Sequence, residues 1–442
     1  MVKPTHVSLS SAVYLVVASM IGTGVFTSLG FQLLGIQSGF VILLLWLTGG
    51  LLAFCGAVSY AELSAALPRS GGEYHLLSRA LHPLAGFLSG WISATAGFAA
   101  PIALAAMAFG SYVSGVFPGL QALPCSLMIV LLVTLVFLRP IRTGSRFLML
   151  FALLKISLII VLVGAAFMLV DPQPVSFAPR ASELGMVFGG NFAVSLMYVM
   201  YAYAGWNAAT YIVNDIKDPQ RNVPRSLLIG TALVTVLYTG LNAAFLWAAP
   251  IDQLKGELEI GLIAGQAIFG PTGGKVMALF IALGLISAIS ALTWAGPRVT
   301  QMMGEDYPLL RWFGKANAQG VPANATGFQA ALVGLLLLTA TFEQVLIYIQ
   351  FVITLSSFLT VLTMMILRIR EPDLPRPYRA WGYPLTPLLF LCITGFTLVK
   401  VFTQRPLESL AGMATLLLGL ALYFVCRVAF EDPTRPRPDR AA

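Results

Sequence analysis

No Asp, Glu, Lys or Arg occurs between Lys3 and Glu62, and none again between Arg79 and Arg139. Each stretch is long enough for two apolar helices of about 20 residues, the length that crosses the hydrocarbon core of a bilayer. A chain folding in water needs charge to cover its surface, and soluble domains carry about 25% charged residues. Here 10% of the 442 residues are charged and 58% are hydrophobic. Lipid is therefore the expected solvent.

Turn-forming segments rich in Gly, Pro or Gln split the two stretches at 35–39 and 117–124. Further apolar runs fall near 147–170, 184–213, 226–249, 276–297, 326–342, 344–367, 384–399 and 409–426, which makes twelve expected spans in an all-α membrane protein. The net charge of +8 follows this topology. With the N-terminus in the cytoplasm, 20 Lys and Arg residues fall in cytoplasmic loops and tails, from Lys3, Arg69 and Arg79 through Arg142 to Arg435, Arg437 and Arg440. Five, namely Arg180, Lys255, Lys275, Lys400 and Arg405, fall outside. That bias predicts a multi-pass protein of the cell (inner or plasma) membrane with both termini cytoplasmic. No loop is long enough to gather the basic residues into a nucleic-acid-binding domain. The first apolar segment runs straight into a second span without a basic leader or cleavage site, so it is expected to stay as a helix. Cys55, Cys125, Cys392 and Cys426 have no paired spacing and read as packing residues. The segment 431–442 is polar and Pro-rich and reads as a disordered tail on a single domain of residues 1–430.

Two spans carry interruptions at mid-depth. In the first, Gly22 and Gly24 flank Thr23, and each Gly weakens a helix by about 1 kcal/mol relative to Ala. Small residues there could serve only close helix approach. In the sixth, Tyr201, Ala202, Tyr203, Ala204, Gly205, Trp206 and Asn207 again place small and polar groups far from either interface. Spans one and six each begin a group of five, and an odd number sends the second group in from the opposite side. Breaks at corresponding positions of two inverted halves are the best sequence pointer to a transporter's substrate site, because unwound backbone leaves polar groups that a ligand can satisfy.

These residues carry a resemblance. Gly22, Thr23, Gly24, Val25 and Phe26 resemble the first-helix signature of the amino acid-polyamine-organocation (APC) superfamily of transporters. Tyr60 to Leu63 and Pro68 to Tyr74 resemble its loop after helix two, and Tyr203 to Asn207 with Lys217 to Pro219 and Asn222 to Arg225 its sixth-helix block. The Gly-Trp-Asn form is most similar to L-type and related bacterial amino acid permeases. The resemblance implies a 5+5 inverted repeat (8–170 and 184–368) with discontinuous helices 1 and 6, followed by two more helices (384–428). It further implies that Tyr201 closes over the substrate, that Asn207 lines the pocket, and that Lys155 occupies the place of a sodium ion bound by related carriers.

Helix polarity defines the expected ligand. Both broken spans aim carbonyl ends at the centre, and their second halves begin there with free amides. Gly22, Thr23 and Gly24 are expected to donate to a substrate carboxylate, while carbonyls near Met20, Ile21, Tyr201, Ala202 and Ala204 accept from its ammonium. No acidic residue lies in either break, so a neutral amino acid is favoured over a cationic one. Lys155 lies nine residues past Arg146, roughly 13 Å along a helix, too deep to reach the interface. It is a coupling candidate with Ser287 and Ser290 of the eighth span, suiting either an exchanger or a proton symporter. Its alternative is a structural charge tying helix five to helix-one carbonyls. Glu62, Arg69 and Glu73 are candidates for a gate with Arg225 or Arg298.

Other chemistry lacks its residues. No His-Glu-x-x-His or Gly-x-Ser-x-Gly motif suggests an intramembrane enzyme. Residues 270–275 imitate a phosphate loop with the wrong glycine spacing, and no cofactor is called for. A channel is the remaining alternative, and would ordinarily show a repeated polar lining. The expected partners are a small amino acid, membrane lipid and, for a symporter, protons.

Overall fold

The computed structural model describes residues 7–139, 145–317 and 320–429. Lys3, His6, Arg142 and the whole of 431–442, with its three arginines, lie outside the described residues. The helices are α1 (Leu9–Met20), α2 (Gly24–Gly35), α3 (Gly39–Ala66), α4 (Gly72–Ala80), α5 (Pro83–Ile92), α6 (Ala99–Val116), α7 (Ala122–Phe137), α8 (Ser145–Leu169) and α9 (Leu184–Val187). There follow α10 (Gly190–Tyr203), α11 (Pro219–Ala248), α12 (Ile251–Leu254), α13 (Ile260–Asp306), α14 (Arg311–Gly314), α15 (Ala323–Thr339), α16 (Phe342–Arg370), α17 (Leu385–Gln404) and α18 (Pro406–Ala429). Among the described residues the β pairing is limited to one isolated bridge, between Val7 and Ile216.

Among the described residues eight helical segments are long and apolar enough to cross a membrane, and a bent pair, Ala181–Val187 with Gly190–Asp215, makes a ninth if counted as one span. Three further apolar helices, Ala122–Phe137, Leu153–Leu169 and Ala323–Thr339, are shorter. The two expected turns fall where the residues placed them. α2 ends at Gly35 before α3 opens at Gly39, where the Ser38 side chain accepts from the Val41 amide, and α6 ends at Val116 before α7 opens at Ala122. The eighth span is longer than 276–297. It begins at Ile260 and passes through Gly270, whose φ of 76° breaks the regular path while only Gly tolerates it cheaply. Large apolar side chains such as Met168, Leu169, Leu385 and Leu418 face outward, and so does Cys392, while Cys55, Cys125 and Cys426 are buried. Such outward Leu and Met are what a lipid-solvated surface requires.

The helical parts of the two interrupted spans run antiparallel, and at one end, ahead of α1, Val7 pairs with Ile216 in an isolated parallel bridge. At mid-depth Ser19 meets Gly205 and Gly24 meets Ala202. Beyond them the Ser28 hydroxyl donates to the Tyr198 carbonyl at 3.3 Å, and Asn191 Nδ2 donates to the Gly35 carbonyl at 3.4 Å. Small residues permit this contact: a Cβ on Gly24 would stand 2.6 Å from the Ala202 Cα. α3 wraps the pair from one side, and its Gly49 and Gly50 admit Val199 of α10 and Thr235 of α11.

The pairing of the charged groups differs from expectation. Glu62, 2% exposed at the end of α3, receives Arg368 Nε at 2.8 Å and Nη2 at 2.5 Å, with Arg376 at 3.5 Å and the Ala380 amide at 2.6 Å. Arg225 and Arg298 do not take part in this network. The Arg298 guanidinium instead lies 3.8 Å over the Trp294 ring and donates to its carbonyl. Sequence distance hid the true partners, which belong to α16 and the loop after it. At the opposite end Glu343 of α16 accepts from Tyr198 of α10 and from Arg405, each at 2.5 Å.

Two outcomes follow. Gly24→Ala should overpack the span contact and cost about 1–3 kcal/mol, lowering the melting temperature in detergent, whereas Gly164→Ala, inside α8 with nothing within 4 Å of its Cβ, should not lower it and should raise it slightly through helix propensity. Glu62→Ala should cost about 3–5 kcal/mol by stranding buried arginine charge. Arg225→Ala and Arg298→Ala should shift the same melting curve little.

Candidate functional site

The first break is set by backbone chemistry. α1 ends when the Ile21 amide closes on the Val17 carbonyl at 2.9 Å, and α2 restarts at Gly24 with no side-chain cap from Thr23. The Thr23 carbonyl takes the Phe26 amide and the Thr27 hydroxyl. Among the described residues the amides of Gly22, Thr23 and Gly24 have no protein acceptor, which leaves free donors at the start of a helix, where the dipole favours an anion.

The carbonyl side of the break is already held. Tyr238 of α11 donates its hydroxyl to the Met20 carbonyl at 2.6 Å, and Lys155 Nζ of α8 donates to the Ile21 carbonyl at 3.0 Å. Each carbonyl oxygen keeps a second lone pair. Tyr238 is fixed in turn by Trp46, whose ring meets it edge-on at 5.7 Å, and by Tyr203 at 5.1 Å, while Tyr203 donates to the Trp46 carbonyl. Trp46 Nε1 donates to Gln32 of α2. Tyr238 did not emerge from sequence reasoning, because one Tyr in an apolar span carries no mark of the carbonyl it will reach.

In the sixth span α10 ends at Tyr203, and the chain turns through Ala204 and Gly205, whose φ of 101° is left-handed. A 3-10 segment then runs over Ala208–Asp215. The Gly205 turn sits against the Ser19 carbonyl, so the two breaks face one another. Tyr201 is buried with its hydroxyl facing the Thr23 side chain. Ala202 forms the wall at Gly24. Trp206 turns away from the first break: its ring fills the space beside Gly56 and meets Tyr60 edge-on at 4.6 Å.

Asn207 also reaches outward from the break, donating Nδ2 to Glu73 Oε1 at 3.4 Å. Glu73, buried on α4, further accepts from Tyr60 at 2.5 Å, from Ser357 at 3.1 Å and from Ser356. Burial raises its carboxyl above the ordinary carboxylate range, against the lowering effect of the Ser356, Tyr60 and Ser357 hydrogen bonds. Ser356 and Ser357 had no sequence signal, being two hydroxyls among many on apolar helices.

Lys155 is buried, and among the described residues it makes no ion pair. A small void beside it is lined by Gly22, Phe26, Leu158, Ile281, Gly284 and Leu285, so α8, α13 and the first break converge there. Ser287 is buried and Ser290 half-buried on α13, beyond Gly284, and neither lines that void nor makes a hydrogen bond.

The arrangement is a pair of antiparallel broken helices enclosing free amides beneath a tyrosine, with a lysine on the adjoining carbonyl. Similarity to known proteins agrees with it. The family model for amino acid permeases matches residues 7–423. The b(0,+)-type amino acid transporter 1 of Rattus norvegicus is 25% identical over 429 residues, covering 95% of this chain and 87% of the relative. The large neutral amino acids transporter small subunit 2 of Mus musculus is 27% identical over 437 residues, covering 95% and 80%. The Asc-type amino acid transporter 1 of Mus musculus is 27% identical over 433 residues, covering 95% and 81%. These relatives are transporters rather than enzymes, and the family match spans nearly the whole chain: the chain belongs to the amino acid permease family, within the APC superfamily of multi-pass membrane transporters.

Proposed function

We propose that this protein moves neutral L-amino acids across a cell membrane by alternating access, without sodium, as an exchanger or a proton-coupled symporter. The observation that carries the reading is the set of free amides at Gly22, Thr23 and Gly24, held between antiparallel broken spans with Tyr201 above Thr23. These amides bind the substrate carboxylate. The second lone pairs of the Met20 and Ile21 carbonyls, with Tyr201, Ala202 and Ala204 opposite, receive the ammonium. Gly205 keeps the turn open to the ligand, and Asn207 and Trp206 couple the site to the neighbouring helices. A zwitterion suits this polarity, and a second positive charge on the substrate would find no carboxylate in either break.

In this reading the three shorter apolar helices also cross the membrane, giving twelve spans arranged as five plus five plus two. The excess of Lys and Arg in the loops at the end where α1 begins supports a cytoplasmic position for that end and for both termini. Lys155 supports sodium independence, since its ammonium occupies the Ile21 carbonyl that a cation would otherwise use. Ser287 and Ser290 stand further along α13 as coupling candidates.

Counterflow in proteoliposomes is the direct test. Trans-loaded neutral amino acid should accelerate uptake of the labelled one equally in sodium and in choline buffer. Absence of trans-stimulation would point to a channel, and a sodium requirement would remove the role given to Lys155. Lys155→Ala should lower uptake at least tenfold by freeing the Ile21 carbonyl, a loss of about 1.4 kcal/mol or more. A Lys155→Ala protein that retains transport with an unchanged pH profile excludes proton coupling through this residue.

A further inference from the structure

Glu73 is a carboxyl group buried beside lipid-spanning helices, yet every group that reaches it is neutral. Oε1 meets the Tyr60 hydroxyl of α3, the Ser357 hydroxyl of α16 and the Asn207 amide, and Oε2 meets the Ser356 hydroxyl. Of the cations on the neighbouring segments, Arg368 and Arg376 hold Glu62 and Arg79 holds Glu371 at 3.0 Å, while Arg69 acts on Tyr74 and His75 and not on Glu73. Lys155 is on the Ile21 carbonyl. Of the titratable groups on the elements around it, Tyr60 and Tyr211 face Glu73, and α5 carries none. The other ionisable groups on these elements are Tyr74, His75 and Arg79 of its own helix, Cys55 and Glu62 of α3, Glu343, Tyr348, Arg368 and Arg370 of α16, and Asp215 of the 3-10 segment. A buried carboxyl without a counter-charge takes up a proton rather than remain ionised.

The contacts around it form a seam. The Ser70 hydroxyl accepts from the Asn214 amide at 3.0 Å, Gly72 lies against the Tyr211 ring, and Glu73 meets Asn207. Three points on residues 70–73 thus dock on residues 207–214, the second half of the broken sixth span. Both Gly71 and Gly72 have positive φ, 125° and 54°, which lets the loop lie this close. Glu73 is 7% exposed, and the seam covers it along this side.

We propose that Glu73 is a proton site: a neutral carboxylic acid while the α4 seam is closed on the sixth span, ionising when the seam opens to water. Neutral, it donates its own O–H to Ser356 while Oε1 still accepts from Tyr60, Ser357 and Asn207. Opening releases that proton to the solution on the side where α1 begins. The sign follows from linkage: the closed seam binds the proton more tightly, so acid holds it closed and alkali favours opening. Burial of the carboxyl raises its proton affinity in the closed form and so points the same way. The inference rests on the transport reading for its consequence, though not for the proton itself.

Two readouts separate these. In proteoliposomes, counterflow of the parent protein should rise with the pH on that side, and Glu73→Gln, a permanent neutral mimic, should lose the dependence and stay at the low-pH rate. In detergent, without transport, Trp206 fluorescence reports through its Tyr60 contact; the parent should show a step with pH that is absent in Glu73→Gln and in Trp206→Phe. Ser357→Ala removes a donor that favours the anion, and should move both midpoints toward alkali by about one pH unit. This variant serves equally if Glu73→Gln does not fold. A parent without counterflow but with the fluorescence step defeats the transport reading alone. A step and profile that persist in Glu73→Gln, stay in place in Ser357→Ala, or are missing from the parent overturn the proton site.

Discussion

Peptide groups inside a bilayer must find partners within the protein, and the architecture follows from how this chain meets that demand at two places where it abandons the helix. At the first break the demand is met on one side only. Tyr238 and Lys155 reach from α11 and α8 to the Met20 and Ile21 carbonyls, while the amides of Gly22, Thr23 and Gly24 stay unclaimed. The break is therefore not a symmetrical gap. Its accepting groups are held in place by neighbouring helices and its donating groups are open, a polarity that in the proposed function would orient an entering zwitterion carboxylate first.

Holding two unwound segments face to face requires that nothing bulky stand between them. Gly24 against Ala202 and Gly205 against Ser19 bring backbone to backbone, and the aromatic cluster of Trp46, Tyr203 and Tyr238 braces the carbonyl side from behind. Trp206 is part of the same bracing, since its ring anchors the sixth-span turn in α3 at Gly56. Large side chains thus fix the positions of small ones. In the proposed function the ligand contacts would be left to the main chain, whose polarity any α-amino acid can meet, and side-chain selectivity to the few residues around it.

Charged groups follow a second rule. At the two ends of the bundle, Glu62 with its arginines and Glu343 with Arg405 tie α16 to its neighbours through ion pairs. Glu73 departs from that rule by meeting only hydroxyls and an amide. A paired carboxylate has a fixed charge over a wide pH range, whereas an unpaired buried one is responsive, and Glu73 lies at the seam between α4 and the second half of the broken sixth span.

Much of the chemistry was legible in the chain itself. Charge-free runs, the Gly-Thr-Gly and Gly-Trp-Asn interruptions and the lone intramembrane lysine are local features: hydrophobic length, helix propensity and the cost of burying charge act on a residue wherever it packs. They marked the apolar helices, the two breaks and Lys155. Packing decided the rest, because it depends on which helix faces are brought together across hundreds of residues. Only the tertiary structure paired Glu62 with Arg368 instead of Arg225, turned Trp206 toward Tyr60, sent Tyr238 to the Met20 carbonyl and gathered Ser356 and Ser357 around Glu73. A hydroxyl or carboxyl has the same composition wherever it stands, and its partner is set by helix rotation and register, which no periodicity in an almost uniformly apolar span records.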